Sequence, residues 1–188
     1  MTELKPGAPD YGRTGSRHIG STLVLGGARS GKSAYAERMI LEAAPTALYL
    51  ATGSAGDAEM AERIRQHQAR RGPAWTTFEV PLDLSGALAD LARPEMPILV
   101  DCLTLWLSNL MAAGADIGAE TGRLTALLPL LPGPVVLVAN EVGLGIVPDN
   151  PLARAFRDHA GRLNQAVAAA VDTVIFIAAG LPLQLKPR

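Results

Sequence analysis

Eight consecutive residues, Gly26-Gly27-Ala28-Arg29-Ser30-Gly31-Lys32-Ser33, constrain the fold of this chain more than any others. They match the P-loop pattern G-x-x-x-x-G-K-[ST], which requires a strand before it and a helix after it. Both flanks fit. Thr22-Leu23-Val24-Leu25 is a short apolar run expected to form a buried strand, and Ser33 to Leu41 carries Tyr35, Met39 and Ile40 at helical spacing. Glycines let backbone amides close around phosphate oxygens without Cβ clashes. The amino terminus of the following helix adds partial positive charge. In such a loop Lys32 reaches the β- and γ-phosphates and the Ser33 hydroxyl ligates Mg²⁺. The chain is therefore expected to bind a nucleoside triphosphate.

Composition narrows the setting. A chain of 188 residues suits one domain. It is expected over residues 19–188, after a loose tail over 1–18 that is polar, rich in Gly and Pro, and gives His18 no role. A formal net charge of −1 excludes a broad basic footprint, so no nucleic-acid partner is expected. Cys102 is the only cysteine, which rules out an internal disulfide and fits a reducing, cytoplasmic setting. No apolar run reaches the roughly 18 residues of a membrane span, and no apolar signal region opens the chain.

Further apolar runs predict strands over 47–52, 75–80, 97–101, 134–139 and 173–178, with a short terminal strand over 183–186. Helices are expected over 57–71, 82–91, 103–112, 120–128 and 151–170, the last opened by an Asn150 cap and Pro151. Residues 113–118 read as a loop. Strands that are apolar throughout, alternating with helices, give an α/β fold of the P-loop NTPase type: a mostly parallel sheet with helices on both faces. Ligands of such sheets sit at the carboxyl ends of the strands. That rule collects the P-loop, Ala51-Thr52-Gly53, Asp101-Cys102 and Asn140-Glu141 along one edge.

Several residues on this edge can carry chemistry. Asp101 ends an apolar strand, where P-loop enzymes keep a carboxylate for Mg²⁺ or its waters; the plain alternative is a helix cap for the segment from Leu103. Cys102 reads as a packed thiol rather than a nucleophile. His67 shares a helix face with Met60 and Ile64. Spacing alone points to a core histidine bonded to a carbonyl. The sharper reading is a nucleophile, because neutral imidazole attacks phosphorus near pH 7. Arg70 and Arg71 close the same helix, as phosphate partners or as cations on its dipole, and Glu59 and Arg63 pair on its surface. Glu79 is a surface acid or an acceptor for base or ribose. The loop Asn140 to Pro148, with Gly143 and Gly145, reads as a binding loop. Arg154 and Asp158 stand at i,i+4.

Taken together these segments resemble a known family. They are the P-loop; Tyr49-Leu50-Ala51-Thr52; Glu59 to Ile64 with His67 and Arg71-Gly72; Trp75 with Glu79; Asp101-Cys102-Leu103-Thr104 with Asn109-Leu110; and Asn140-Glu141-Val142-Gly143 with Gly145 to Pro148, Arg154 to Asp158 and Gly161 to Gln165. The family is the bifunctional adenosylcobinamide kinase/adenosylcobinamide-phosphate guanylyltransferase of cobalamin biosynthesis, and the resemblance covers about Thr22 to Lys186. It implies phosphorylation of adenosylcobinamide by ATP or GTP. It then implies transfer of GMP from GTP, through a guanylylated His67, to adenosylcobinamide phosphate, giving adenosylcobinamide-GDP and pyrophosphate. It further implies nucleotide contacts from Gly26 to Ser33, from Ala51, Thr52 and Gly53, from Gln68, Ala69, Arg70 and Arg71, and from Glu79 and Asp101. Lys32 would be catalytic, Mg²⁺ would lie with Ser33 and Asp101, and the assembly would be a homotrimer. Two other readings stay open on the residues alone: a small-molecule kinase with His67 structural, and a nucleotide-driven switch or strand-binding ATPase, which the near-neutral charge disfavours.

Overall fold

Side-chain alternation along the strands divides the apolar residues between two faces of one sheet. The computed structural model describes residues 20–53 and 72–187. The tail over 1–18 with His18, the helix expected over 57–71 with Glu59 and Arg63, and the candidates His67, Gln68, Ala69, Arg70 and Arg71 lie outside the described residues.

In chain order the elements are β1 (Ser21–Gly26), α1 (Lys32–Ala43), β2 (Ala47–Ala51), β3 (Trp75–Glu79), α2 (Leu84–Leu91), β4 (Ile98–Asp101), α3 (Leu103–Ala112), α4 (Ile117–Leu127) with a 3₁₀ turn at Leu128–Leu130, β5 (Val135–Asn140), α5 (Pro151–Ala170), β6 (Thr173–Ala178) and β7 (Leu181–Lys186). The strands form a seven-stranded sheet in the order β3-β2-β4-β5-β1-β6-β7. Every pairing is parallel except β6 with β7. Leu23, Leu25, Ile98, Val100, Val135 and Leu137 point to the face covered by α2, α3, α4 and α5, where Trp106 is fully buried. Val24, Leu99, Val136 and Val138 point to the face where α1 lays Ala36 and Ile40. A sheet buried on both sides is what the uninterrupted apolar runs require.

The strands agree with the sequence reading except at the last. β7 begins at Leu181 and accommodates Pro182, because an edge strand can spend its missing donor on the solvent side. α4 begins at Ile117, inside the expected loop, because the Asp116 carboxylate accepts from the Ala119 amide at 3.0 Å and opens the helix early. α2 likewise starts after Asp83, whose carboxylate accepts from the Gly86 amide at 3.1 Å. The expected Asn150 cap is present, accepting from the Ala153 amide at 2.7 Å. Arg154 does not pair with Asp158. Its guanidinium donates to the carbonyls of Pro148 and Asp149 at 2.9 and 2.7 Å, and Asp158 pairs with Arg157 instead.

Lys186 closes α5 from outside. Its Nζ donates to the carbonyls of Ala168 and Ala169, at 3.0 and 3.2 Å, and to that of Val171 just beyond the helix. These are carbonyls that a helix end leaves unpaired. Replacing Lys186 by Met keeps the stem and removes the charge. Urea unfolding of Lys186→Met should show stability lowered by about 1–2 kcal/mol, the scale of a few charge-assisted hydrogen bonds at a partly exposed site.

Candidate active site

The loop between β1 and α1 is held in a shape that few side chains permit. Gly31 takes φ +94° at the start of α1. A Cβ on Gly26 would stand 2.5 Å from the Ser30 hydroxyl oxygen and 2.6 Å from the Ile177 carbonyl oxygen. Hydrogen bonds brace the loop from its neighbours. The Glu141 amide donates to the Gly26 carbonyl at 3.0 Å, and the Gly180 amide, in the turn from β6 to β7, donates to the Ser30 carbonyl at 2.9 Å. Lys32 is buried, with its Nζ donating across the loop to the Gly27 carbonyl at 3.3 Å. The Ser30 hydroxyl is buried and has no hydrogen-bond partner among the described residues. A glycine cradle, a buried ammonium at the base of a helix and an unspent hydroxyl together suit an anion with many oxygens.

Strand register places the other candidates beside this loop. Glu79 aligns with Ala51, Ala51 with Asp101, and Asp101 with Val138. Gly26 aligns with Asn140, two residues beyond Val138. The edge therefore has a step. β1 and β5 run about 7 Å past the row that ends in Glu79, Ala51 and Asp101. Only β5 separates β4 from β1, so Asp101 and the phosphate loop stand about 10 Å apart across the sheet. That gap is wide enough for phosphates and a hydrated cation. Among the described residues no cluster of three or more acidic, His or Cys side chains could hold a metal alone. The available donors, the Ser33 hydroxyl and the Asp101 carboxylate, are hard oxygens that suit Mg²⁺ shared with phosphates and water.

Asp101 is not the cap of α3; that position belongs to Cys102, whose side chain caps nothing. The Asp101 carboxylate instead accepts from the Tyr49 hydroxyl at 2.7 Å. Cys102 is buried. Its burial first, and the Asp101 carboxylate second, push its thiol up to about 11, against a smaller downward pull that includes the Lys32 charge. A thiol that stays protonated is no nucleophile.

Four polar side chains, those of Thr52, Asn109, Asn164 and Thr104, organise this edge. Thr52 is fully buried; its hydroxyl donates to the Cys102 carbonyl and accepts from the Cys102 amide. Asn109, on α3, donates to the carbonyls of Thr52 and Pro81 at 2.7 and 3.0 Å and so joins the ends of β2 and β3. Asn164, on α5, donates to the Asn140 carbonyl at 3.3 Å, while the Thr104 hydroxyl accepts from the Asn140 amide at 2.7 Å.

The remaining candidates are open. Ala28, Arg29 and Glu79 are exposed, and Gly27 and Gly53 are half-buried. In the loop after β5 the Glu141 carboxylate turns back onto the Gly143 amide, while Leu144, Ile146 and Val147 are 83, 97 and 59% exposed.

Comparison with known proteins bears on what this edge serves. The family described as cobinamide kinase / cobinamide phosphate guanyltransferase matches residues 22–185. The chain is 48% identical over 166 residues to the bifunctional adenosylcobalamin biosynthesis protein CobP of Pseudomonas aeruginosa, a match covering 87% of this chain and 96% of that protein. It is 44% identical over 180 residues to the bifunctional adenosylcobalamin biosynthesis protein CobU of Salmonella typhimurium, covering 87% and 98%. Among solved structures it is similar in fold to a prototypical ATPase from the type III secretion system of pathogenic bacteria, with a TM-score of 0.52 at 14% identity over 88% of this chain and 56% of that one.

The raised thiol has a measurable consequence. The Cys102 thiol moves from an ordinary value of 9.0 to about 11 in the folded chain. Between those values the native state holds a proton that the unfolded chain has lost, so this stabilisation is complete below pH 9 and is lost as pH rises to 11. Its size is of order 2–3 kcal/mol. Chemical denaturation at pH 8 to 11 should show that slope in the wild type and a flatter one in Cys102→Ala.

Proposed function

As a member of the cobinamide kinase / cobinamide phosphate guanyltransferase family, the chain is a bifunctional enzyme of adenosylcobalamin biosynthesis, and we propose that both its reactions use the one phosphate site built on Gly26 to Ser33. The observation that carries this reading is the braced glycine loop with the Lys32 ammonium inside it. In the first reaction the aminopropanol hydroxyl of adenosylcobinamide attacks the γ-phosphorus of ATP or GTP. The bond to the β,γ-bridging oxygen breaks, the nucleoside diphosphate leaves, and the hydroxyl gives up its proton. In the second, a neutral nitrogen of His67 attacks the α-phosphorus of GTP, the bond to the α,β-bridging oxygen breaks and pyrophosphate leaves. A phosphate oxygen of adenosylcobinamide phosphate then takes GMP from the imidazole, giving adenosylcobinamide-GDP. Storing GMP on histidine splits one transfer into two easier ones.

Lys32 and the loop amides stabilise charge on the phosphates that leave. Ala51, Thr52, Gly53 and Glu79, with Gln68, Ala69, Arg70 and Arg71, complete the nucleotide contacts. Ser33 and Asp101 would hold Mg²⁺, Asp101 through water; when bound, the ion neutralises phosphate charge in both reactions. The step in the sheet edge, with Asp101 two residues short of the loop strand, supports that role.

The proposed assembly is a cytoplasmic homotrimer. Self-association is supported by apolar residues that one chain leaves uncovered: Leu144 and Ile146 after β5, and Leu181, Leu183 and Leu185 along β7, each more than half exposed. Among the described residues no helix is long and apolar enough to cross a membrane.

Incubation with α-labelled GTP tests the covalent step. Label should stay on the denatured wild-type protein, be released by acid, and be absent from His67→Ala, while that variant still phosphorylates adenosylcobinamide. Label retained by His67→Ala would refute the assignment. Lys32→Ala should lose both activities by at least about 100-fold, as removal of a transition-state cation does. Sedimentation should place the wild type at the trimer mass, and Leu183→Glu should shift it toward monomer if β7 lies in the interface.

A further inference from the structure

We propose that Tyr49 is a positioning residue for Asp101, fixing the carboxylate that faces the nucleotide's Mg²⁺. The inference rests on the reading of Asp101 given above and extends it to a residue outside the P-loop. Tyr49 and Asp101 lie on neighbouring strands, with Ala51 aligned to Asp101 and Tyr49 two residues earlier on the same face. The tyrosine is 2% exposed. Its ring meets Trp75 edge-on, centroids 5.8 Å apart at 84°. Packing thus holds the ring, and the ring holds the hydroxyl. That hydroxyl donates to Asp101 Oδ2 at 2.7 Å.

An ionised carboxylate only accepts, so the tyrosine is the donor. With Oδ2 committed to it, Oδ1 is the oxygen left for a hydrated cation. A half-buried Asp at a strand end otherwise has two torsions free to wander. Fixing them beforehand removes an ordering cost from cation binding, as outer-shell partners of metal ligands do elsewhere. A bystander tyrosine would satisfy its own hydroxyl there without any effect on the cation.

The test separates these. In the full-length chain, binding of a fluorescent GTP analogue is titrated in EDTA and again against Mg²⁺. Tyr49→Phe keeps the ring and its contact with Trp75. It should leave affinity in EDTA unchanged and raise the Mg²⁺ concentration for half-maximal enhancement by about 10-fold. Asp101→Asn should shift the same midpoint, and Tyr49→Phe/Asp101→Asn should shift it no further than Asp101→Asn alone, because the two residues act as one unit. A wild-type Mg²⁺ curve in Tyr49→Phe beside a shifted one in Asp101→Asn overturns the positioning role and leaves the Asp101 reading standing. Wild-type curves in both overturn the Asp101 reading and this inference with it. Should Tyr49→Phe unfold, ring-labelled ¹³C-tyrosine in the wild type serves instead. The Tyr49 Cζ resonance should move when Mg²⁺ is added to the GTP complex and stay still in Asp101→Asn; a resonance indifferent to Mg²⁺ in the wild type refutes the proposal.

Discussion

The hydroxyl of Thr52, fully buried, accepts from the Cys102 amide at 2.8 Å and donates to the Cys102 carbonyl at 2.7 Å, and the phosphate edge of the sheet is laid out from that contact. It sits one residue past the last rung between β2 and β4, where two parallel strands would otherwise part. Each such bond adds only about 1 kcal/mol net, but a buried amide or carbonyl left unpaired costs about 1–3 kcal/mol. The pairing therefore admits few alternatives. A valine of the same shape would strand the Cys102 amide, while the Cys102 carbonyl would keep the Leu105 and Trp106 amides. Because Asp101 immediately precedes Cys102, holding Cys102 also sets where the Asp101 carboxylate leaves the strand. Asn109 then binds the Thr52 carbonyl and carries the constraint to Pro81 after β3. One hydroxyl and one amide thus join the ends of three strands.

Most of the fold was legible because its signals are local. Ile98-Leu99-Val100 and Val135-Val136-Leu137-Val138 are apolar at every position, and only burial on both faces accounts for that. Asn150-Pro151 announces α5 by cap chemistry within two residues. The misses are equally physical. Asp116 opens α4 inside a stretch whose Gly114, Ala115 and Gly118 look like loop, because one side-chain bond outweighs weak propensity. β7 extends through Pro182 because its partner β6 supplies the pairing, which no single-chain pattern contains.

The site divides the same way. The P-loop is contiguous, and its spacing alone encodes the turn, the helix start and the lysine. Asp101 was ambiguous between capping α3 and facing the phosphates. The ambiguity lay in sequence distance: its partner Tyr49 is 52 residues away and reaches it across neighbouring strands. Asn109 and Asn164 are unreadable for the same reason, since each bonds a backbone carbonyl at least 24 residues away, and nothing local says which one. The i,i+4 spacing of Arg154 and Asp158 goes unused because two loop carbonyls that only the folded turn presents take the guanidinium.

The bracing of the phosphate loop bears on how one site could serve two chemistries. In the proposed scheme the kinase step breaks a bond at the γ-phosphorus and the guanylyl step at the α-phosphorus. The loop touches β1's own extension, the Glu141 amide, the Gly180 amide and the Ile177 carbonyl, so moving it would open several contacts at once. In that scheme a loop so tied would fix the triphosphate rather than follow it. The two electrophilic centres then stay at set places along one bound chain of phosphates. Choice between the reactions falls to the acceptor: whichever nucleophile, substrate hydroxyl or imidazole, stands in line with its own phosphorus. On this view His67 and the cobinamide hydroxyl do not compete for one position. In that scheme the cradle has only to hold negative charge equally well for either departure, and the buried lysine with the loop amides would do that without regard to which bond is broken.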